Sequence, residues 1–164
     1  MARGSAEGES DIEEGFLVRS LNETEDLGRR IASALKAGDT IALEGDLGAG
    51  KTTLARAILR ALGVTGEVPS PSFTLVQQYD TPQLQVAHYD FYRIADPAEV
   101  DELGLEDAIG DGAVLVEWPE RAPGRIPRDA LRIRIGILGE NERAVQFSGP
   151  ARWARMISDG KAGV

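Results

Sequence analysis

The sequence predicts a single α/β domain in which a mainly parallel central sheet is flanked by helices. Short apolar segments alternate along the chain with segments whose apolar residues recur at helical spacing, a pattern typical of such domains. With 164 residues, 42% of them hydrophobic and 27% charged, the chain can bury one globular core. We expect the domain to span residues 15–158, between an acidic, disordered tail at 1–14 and a flexible C-terminus at 159–164.

Two strands and two helices are predicted in the first part of this domain. Ser20 and Glu23 have the spacing of a capping box, and apolar residues then recur at helical spacing up to Gly38, which is expected to end the helix. A second amphipathic helix is followed by Gly63. The predicted elements are a strand at 15–19, the helix that starts at Ser20, a strand at 40–43, a glycine-rich loop at 45–50 and a helix at 52–62.

The second part of the domain is predicted to consist mainly of strands. Pro97 suits the first turn of a helix, which we expect to continue to Leu103. At 131–137, arginine alternates with branched apolar residues, as in a half-exposed strand. The remaining predicted elements are strands at 73–79, 84–88, 113–116 and 145–147, and a closing helix at 151–157.

The glycine-rich loop matches the phosphate-binding pattern G-x4-G-K-[ST]. Glycines let the backbone turn around phosphate groups, and the positive end of the following helix faces the same anion. We therefore predict a P-loop NTPase domain in which Lys51 contacts the terminal phosphates and the Thr52 hydroxyl ligates Mg²⁺. The predicted nucleotide-binding residues of the loop are Gly45, Asp46, Leu47, Gly48, Ala49, Gly50, Lys51, Thr52 and Thr53.

The sequence favours ATP over GTP as the nucleotide. Guanine-specific switches commonly bind the base through an Asn-Lys-x-Asp element, and none of the three lysines, Lys36, Lys51 and Lys161, lies in one. The predicted strand that ends at Asp90 continues as Phe-Tyr-Arg, not as the Asp-x-x-Gly of those switches. Elsewhere the positive charge is carried by arginine, which indicates that the loop needs the compact charge of a lysine.

Two apolar strands end in a carboxylate, Asp90 and Glu117. Side chains at the carboxyl ends of parallel strands face the ligand crevice of such a sheet, and phosphate chemistry needs a carboxylate for Mg²⁺ and a group that positions water. The residues leave open which of the two binds the metal and which acts on water, and either one alone could be a helix cap or a surface acid. Ser72, on a segment before the next strand, is either a switch hydroxyl near the γ-phosphate or part of a proline turn.

Three ring-bearing residues near these motifs have an ordinary structural interpretation as well as a functional one. His88 on a predicted strand is expected to be a packed residue rather than a ligand. Trp118, which directly follows Glu117, either covers a base or caps the core. Trp153 on the closing helix is expected in the core.

Composition and charge exclude several classes of function. The chain has no cysteine, which excludes disulfides and thiolate metal sites, and no apolar run long enough to span a membrane. The net charge is −9, so direct binding of DNA or a strong hold on RNA is not expected. The last part of the chain, 119–164, is rich in arginine, which lies either on solvated strand faces or against an anion or an acidic partner. The start lacks the layout of a signal peptide, and we expect a cytoplasmic protein.

Four motifs together resemble the TsaE family, formerly YjeE. They are Gly-Asp-Leu-Gly-Ala-Gly-Lys-Thr-Thr at 45–53, Ser-Pro-Ser-Phe-Thr-Leu at 70–75, His-Tyr-Asp-Phe-Tyr-Arg at 88–93 and Val-Glu-Trp-Pro-Glu-Arg at 116–121. The motifs occur in the order and the approximate spacing of the family, and the resemblance covers roughly residues 16–150. The phosphate loop is generic, whereas the other three motifs together are specific.

The resemblance implies a slow, Mg²⁺-dependent ATPase of tRNA threonylcarbamoyladenosine (t6A) biosynthesis with a compact P-loop sheet. Such a protein acts with the TsaB–TsaD pair, which transfers the threonylcarbamoyl group to adenosine 37, and it contacts tRNA only through that complex. By position, Lys51 and Thr52 match residues for phosphate and Mg²⁺, Glu117 a metal-site carboxylate, Asp90 a second acid needed for hydrolysis, and Trp118 a functional tryptophan.

Two further positions follow from the same resemblance. Ser72 matches a switch hydroxyl that is commonly threonine in the family. Serine keeps the hydroxyl but lacks the methyl group that restricts the side-chain rotamer, so the switch contact is expected to be looser. The segment from Ser20 to Thr24 is expected near the adenine.

Two other functions share the phosphate loop. A small-molecule or nucleoside kinase could use Arg93, Arg121 or Arg125 to clamp the transferred phosphate, although the sequence shows no acceptor site and little chain for a lid. A nucleotide-gated adaptor without turnover is the second alternative. Alanine substitution of Asp90 or Glu117 separates the adaptor from an ATPase, since only an ATPase has turnover to lose.

Overall fold

The computed structural model describes the backbone of residues 12–162 and the side chains of residues 12–158. The described chain forms a seven-stranded sheet in the order β1-β7-β6-β2-β5-β4-β3, with helices on its faces. The strands are β1 (Ile12–Val18), β2 (Thr40–Glu44), β3 (Val76–Asp80), β4 (Gln85–Asp90), β5 (Ala113–Glu117), β6 (Leu131–Ile137) and β7 (Arg143–Gly149). The α-helices are α1 (Leu21–Ala34), α2 (Lys51–Ala61), α3 (Leu105–Asp111) and α4 (Ala154–Ala162), with 3-10 turns at Pro97–Leu103, Pro119–Arg121 and Ala151–Trp153.

The sheet is parallel only in its centre, which corrects the prediction of a mainly parallel sheet. Strands β6, β2, β5 and β4 run parallel, whereas β1, β7 and β3 are antiparallel to their neighbours, so three of the six pairings are parallel. The reason is the length of two connections. Thr81 and Leu84 close the β3–β4 turn, and Leu138 and Glu142 close the β6–β7 turn. Such short turns join antiparallel strands, because a parallel pair needs a long crossover.

Several element boundaries differ from the predicted ones. Strand β1 begins at Ile12, three residues before the predicted domain start, because residues 12–14 pair with the edge of β7. Residues 1–11 of the predicted tail lie outside the described residues. Helix α4 continues to Ala162, beyond the predicted end at residue 157, and into the segment expected to be a flexible C-terminus.

Two further segments form other elements than predicted. The predicted helix at Pro97–Leu103 is a 3-10 turn, and the short helix α3, which the sequence analysis did not predict, follows it after Gly104. The predicted strand at 73–79 begins only at Val76. Leu75, directly before it, has a φ of 71°, a left-handed conformation that a strand cannot contain.

The start of α1 confirms the predicted capping box, whereas its end differs from the prediction. Ser20 Oγ accepts a hydrogen bond from the backbone N–H of Glu23 at 3.1 Å, and the Glu23 carboxylate accepts one from Arg19 N at 2.7 Å. The helix ends at Ala34, four residues before Gly38. Gly28 faces α2 so closely that an added Cβ would lie 2.5 Å from the Cβ of Ala57. The two helices therefore pack with their backbones in near contact.

Two apolar clusters cover the two faces of the central strands. Helices α1, α2 and α4 bury one face, and the predicted core residue Trp153 lies there, 1% exposed. The 3-10 turn at Pro97–Leu103 and α3 bury the other face, where Tyr89, Phe91 and Val116 are packed. Both faces of β2 and β5 are thus covered, which explains their continuous apolar sequences. Within the described part of the chain, no helix is both long and apolar enough to cross a membrane.

The outer strands have one face in solvent, as the alternation in β6 predicts. Arg132 is half-buried and Arg134 is exposed, and both guanidinium groups contact the carboxylate of Glu44 at 3.2 and 3.0 Å. These two arginines of the basic C-terminal part are therefore paired within the domain.

Candidate functional site

The glycine loop joins the end of β2 to the start of α2. Gly50, the residue before the helix, has a φ of 111°, a conformation that residues with a side chain rarely adopt. Gly45 lies against β6, where an added Cβ would be 2.6 Å from the carbonyl oxygen of Ile135. Glycine at these two positions therefore lets the loop turn sharply into the N-terminus of α2, where backbone amides and the helix dipole favour an anion.

Lys51 lies under the loop and is 5% exposed. Its Nζ donates hydrogen bonds to the carbonyl oxygens of Gly45 at 2.5 Å and Asp46 at 3.0 Å. The same Nζ lies 4.1 Å from the ring centre of Trp118, a cation–π contact. Burial lowers the pKa of Lys51, and the nearby acidic residues, Glu117 first among them, oppose that shift. The lysine thus places a positive charge at the centre of the loop.

Thr52 and Glu117 are joined by hydrogen bonds across 65 positions of sequence. The Thr52 hydroxyl lies 2.9 Å from Glu117 Oε1 and 3.0 Å from Oε2. Glu117 is the last residue of β5 and is 2% exposed. A hydroxyl and a carboxylate are oxygen ligands of the kind that Mg²⁺ prefers, and the two residues are adjacent in the structure.

Asp90 ends β4 directly beside Glu117, and the two residues are register partners in the parallel pair. Its Oδ1 accepts a hydrogen bond from Tyr92 N at 2.9 Å, and its Oδ2 lies 3.4 Å from the Ser72 hydroxyl. Burial raises the pKa of Asp90; the Tyr92 N–H opposes this shift, while the charge of Glu117 adds to it. The two carboxylates at neighbouring strand ends meet as the sequence analysis expects.

His88 was expected to be a packed residue, and its side chain is fully buried. It also makes a contact that the sequence analysis missed, because its Nε2 lies 2.7 Å from Glu117 Oε2. The available signal was its position two residues before Asp90, which places both side chains on the same face of β4.

Trp118 lies beside Lys51 in a left-handed backbone conformation, with a φ of 58°. Its ring packs against that of Tyr92 at 4.8 Å between centroids, and Arg121 lies over both rings. Among the described residues, Leu75 and Trp118 are the non-glycine residues with positive φ. Such backbone strain is concentrated at functional sites.

Two cavities lie on either side of the glycine loop and share Gly48, Gly50 and Thr53. The smaller, of about 270 Å³, is lined by every predicted catalytic and metal residue and by Trp118. The larger, of about 520 Å³, is lined by residues of the β1–α1 segment, by the loop and by the β6–β7 hairpin. Ser20 and Thr24, expected near the adenine, line this larger cavity, and Trp118 does not. Of the other predicted loop residues, Leu47 lines the smaller cavity and Ala49 the larger one. The carbonyl groups of Gly45 and Asp46 accept hydrogen bonds from Lys51.

Arg143 is a site residue that the sequence analysis did not identify. Its Nε donates to the carbonyl oxygen of Ala49 at 2.9 Å, and another guanidinium nitrogen contacts that of Gly139 at 2.8 Å. It therefore ties the glycine loop to the β6–β7 turn beside the larger cavity. No motif surrounds it in the sequence, and the strand predicted there covered only residues 145–147.

The donor set suits a hard cation with few protein ligands. No cluster of three or more His, Cys, Asp or Glu side chains is arranged to hold a metal ion in the described residues. Thr52, Glu117 and Asp90 instead offer one hydroxyl and two carboxylates. That set fits Mg²⁺, which commonly keeps several waters and binds substrate phosphates in addition to one or two carboxylates.

Comparisons with known proteins identify relatives of this chain. The family profile described as threonylcarbamoyl adenosine biosynthesis protein TsaE matches residues 18–145. The tRNA threonylcarbamoyladenosine biosynthesis protein TsaE of Bacillus subtilis is 37% identical over 84% of this chain and 86% of its own length. The protein of the same name from Streptomyces coelicolor is 40% identical over 79% of this chain and 93% of its own length.

A solved structure extends the similarity to the whole fold. The crystal structure of Bacillus subtilis YdiB superposes with a TM-score of 0.76 at 30% identity, covering 93% of this chain and 97% of that one. The family profile matches well over half of the chain, and its matched region contains the glycine loop and both carboxylates. The chain belongs to the TsaE family of tRNA threonylcarbamoyladenosine biosynthesis proteins.

Proposed function

We propose that this protein binds and slowly hydrolyses ATP with Mg²⁺, in support of t6A modification of tRNA. The observation that carries the proposal is the contact of the Thr52 hydroxyl with both oxygens of Glu117, at 2.9 and 3.0 Å, at the start of the helix that follows the glycine loop. A metal ligand of the phosphate-binding motif and a carboxylate from a distant strand are thereby adjacent. That combination is typical of P-loop NTPases.

Mg²⁺ would be held by Thr52 and Glu117, with Asp90 as the neighbouring acid. When bound, the ion neutralises phosphate charge that develops during the reaction. Lys51 would turn its amino group from the loop carbonyls to the terminal phosphates, a movement within reach of its flexible side chain. The glycine loop and the α2 N-terminus hold the phosphate chain in place.

Asp90 is the proposed water-positioning group. It lies in the same cavity as Lys51 and Thr52, and its pKa is raised by burial, which makes its carboxylate a better proton acceptor. The Ser72 hydroxyl, 3.4 Å from Asp90, belongs to a segment that ends in the strained residue Leu75. We propose that this segment is the switch that approaches the γ-phosphate.

The larger cavity is the proposed site of the adenosine. It shares the loop residues Gly48 and Gly50 with the phosphate cavity, so one nucleotide can extend from one cavity into the other. Leu27 and Val145 supply apolar surface to it, while Ser20, Thr24 and Arg143 supply polar groups; such a combination suits a nucleoside. Trp118 is therefore assigned to the phosphate side, not to the base.

The proposed biological role is based on the similarity of this chain to TsaE proteins. We propose that the chain does not transfer the threonylcarbamoyl group itself but acts on the TsaB–TsaD complex, and that it contacts tRNA only through this complex. The net charge of −9 supports an indirect role, because tight binding of RNA requires basic groups that neutralise phosphates.

The kinase alternative depended on three arginines, and their contacts lend it little support. Arg125 is paired with Asp101 at 2.9 Å, and Arg93 lies over the ring of the exposed Phe73. Arg121 packs on aromatic rings next to the site. Every contact described above is equally compatible with a nucleotide-gated adaptor that has no turnover. Only a measurement of ATP turnover therefore separates the adaptor from an ATPase.

The decisive experiment is phosphate release from Mg·ATP by the purified chain, alone and with TsaB–TsaD. We expect a slow basal rate that changes when the pair is added. Glu117→Ala should lose the ordinary Mg²⁺ dependence, and an unaltered magnesium titration would move the metal role to Asp90. A rate of phosphate release that TsaB–TsaD does not change but that increases with a small hydroxyl compound would favour a kinase. The absence of turnover under every condition would favour the adaptor.

A further inference from the structure

His88 lies beneath the two carboxylates of the site, outside both cavities. It precedes Asp90 by two residues on β4, and its side chain is 0% exposed. Its register partner on β5 is Leu115, two residues before Glu117. The 2.7 Å contact between His88 Nε2 and Glu117 Oε2 is therefore a diagonal one between neighbouring strands, and it reaches the carboxylate from the core side.

Glu117 is thus held from two directions. Thr52 approaches it from the phosphate cavity and His88 from the core. The Thr52 hydroxyl has one proton and can donate to only one oxygen at a time, so a second donor is needed to fix both oxygens. A carboxylate only accepts hydrogen bonds, and His88 Nε2 therefore carries the proton.

Packing alone does not explain a histidine at this position. Its second ring nitrogen, Nδ1, is buried and has no hydrogen-bond partner among the described residues, which disfavours the folded state. Val86 and Leu115 show that neighbouring positions on this face accept apolar side chains. A leucine at position 88 would avoid the unpaired nitrogen but would lose the donor to Glu117.

We propose that His88 is a positioning residue that orients the Glu117 carboxylate beside Thr52 for Mg²⁺. The inference rests on the proposed function, in which Thr52 and Glu117 hold the ion. Groups that hydrogen-bond a metal ligand from behind commonly change metal affinity by about 10- to 100-fold when they are removed. His88 contacts neither cavity, so its effect should appear in metal binding and not in the binding of metal-free nucleotide.

The test compares His88→Leu, His88→Asn and His88→Gln with the parent protein and with Tyr89→Phe. Glutamine places an amide N–H near the position of Nε2, whereas leucine has no donor and asparagine is too short to reach Glu117. Tyr89→Phe is the matched control, because it removes a buried hydrogen bond, to Leu103 O at 2.9 Å, from the opposite face of the same strand.

The main measurement is Mn²⁺ binding, followed by electron paramagnetic resonance in the presence of a non-hydrolysable ATP analogue. His88→Leu and His88→Asn should weaken Mn²⁺ binding at least tenfold, while His88→Gln and Tyr89→Phe should remain within about threefold of the parent. Binding of a fluorescent ATP analogue in EDTA should be unchanged in all four. Should His88→Leu fail to fold, the comparison of Asn with Gln decides the matter.

Glu117→Ala separates a failure of this inference from a failure of the proposed function. If Glu117→Ala weakens Mn²⁺ binding but the Leu and Asn variants of His88 do not, the positioning role is wrong and the proposed metal site stands. Equal losses in His88→Asn and His88→Gln also overturn it, because a donor at the Nε2 position would then be irrelevant. If Glu117→Ala itself leaves Mn²⁺ binding intact, the proposed metal role of Glu117 fails, and the inference fails with it.

Discussion

Replacing Thr52 with valine tests the contact on which the proposed site depends. Valine keeps the β-branched shape and removes only the hydroxyl, which leaves the buried Glu117 carboxylate with His88 as its remaining side-chain partner. A hydrogen bond to a charged group contributes about 1.5–3 kcal/mol to the free energy of unfolding. For a domain of this size, 1 kcal/mol corresponds to about 2–4 °C in Tm, so we expect a loss of about 3–12 °C without nucleotide.

The matched control is Thr52→Ser, which keeps the hydroxyl and loses one methyl group. It should cost about 0.8 kcal/mol of burial at most, because Thr52 is only partly buried. The assays are urea denaturation without nucleotide and a magnesium titration of phosphate release. Serine should retain the parent half-saturating Mg²⁺ concentration, whereas valine should raise it at least tenfold through the lost oxygen ligand.

A double-mutant cycle then assigns the loss to the pair. Combining Thr52→Val with Glu117→Ala should cost clearly less stability than the sum of the two single substitutions, since each of them removes the same hydrogen bond. The reasoning is refuted if valine is as stable as serine and the two have the same magnesium titration. Strict additivity in the cycle would refute the hydrogen bond while leaving a separate role for each residue.

Three other substitutions test the loop, the acid and the helix packing. Lys51→Ala should abolish tight ATP binding, because it removes the positive charge at the terminal phosphates; unchanged affinity by calorimetry would disprove the phosphate-loop assignment. Asp90→Asn should abolish phosphate release, because the proposed water-positioning carboxylate is lost. It should also raise Tm at neutral pH, since burial disfavours the charged form of Asp90. A fall in Tm would show that the charge of Asp90 stabilises the fold. Gly28→Ala should lower the free energy of unfolding, measured by urea denaturation, by about 1–3 kcal/mol, because its Cβ would lie 2.5 Å from that of Ala57. In the control Gly110→Ala, the added Cβ lies in open space and should raise that free energy by about 0.5–1 kcal/mol. Equal effects of the two substitutions would contradict the close helix contact.

Two kinds of signal in the sequence predicted the residues of the candidate site. Asp90 and Glu117 each follow an apolar run, and the parallel register of β4 and β5 brings them side by side. Lys51 and Thr52 are positioned by a local motif whose glycines fix the backbone. Both signals are local, so neither required knowledge of the whole fold.

The contacts that sequence reasoning missed depend on tertiary structure. Arg143 reaches the glycine loop from a hairpin 94 positions away, and no periodicity or motif marks it. The bond from His88 to Glu117 depends on a diagonal register between two strands, which is known only once the strands are paired. The antiparallel pairs β3–β4 and β6–β7 were missed for a different reason. Two short local turns decide the direction of these strands, whereas the prediction of a mainly parallel sheet relied on the apolar pattern.

Burial disfavours the charged forms of two of the proposed reacting groups, Asp90 and Lys51. The pKa of Asp90 is raised by burial, so the folded protein loses stability as pH rises from the ordinary aspartate range through the folded pKa. The pKa of Lys51 is lowered by burial, so stability is regained only as pH rises between the folded pKa and the ordinary lysine value. At any pH below the folded pKa of Lys51, its protonated form therefore disfavours the folded state.

A ligand that matches both charges offsets these penalties. Phosphate groups next to Lys51 and a divalent cation next to the carboxylates supply the missing partners, and a ligand that binds only the folded protein raises its stability. Mg·ATP should therefore raise Tm more than ATP with EDTA does, and Asp90→Asn should narrow that difference, because part of the electrostatic penalty has already gone. If Mg²⁺ raises Tm equally in the parent protein and in Asp90→Asn, the cation does not interact with the charge of Asp90. Asp90 would then act only on water.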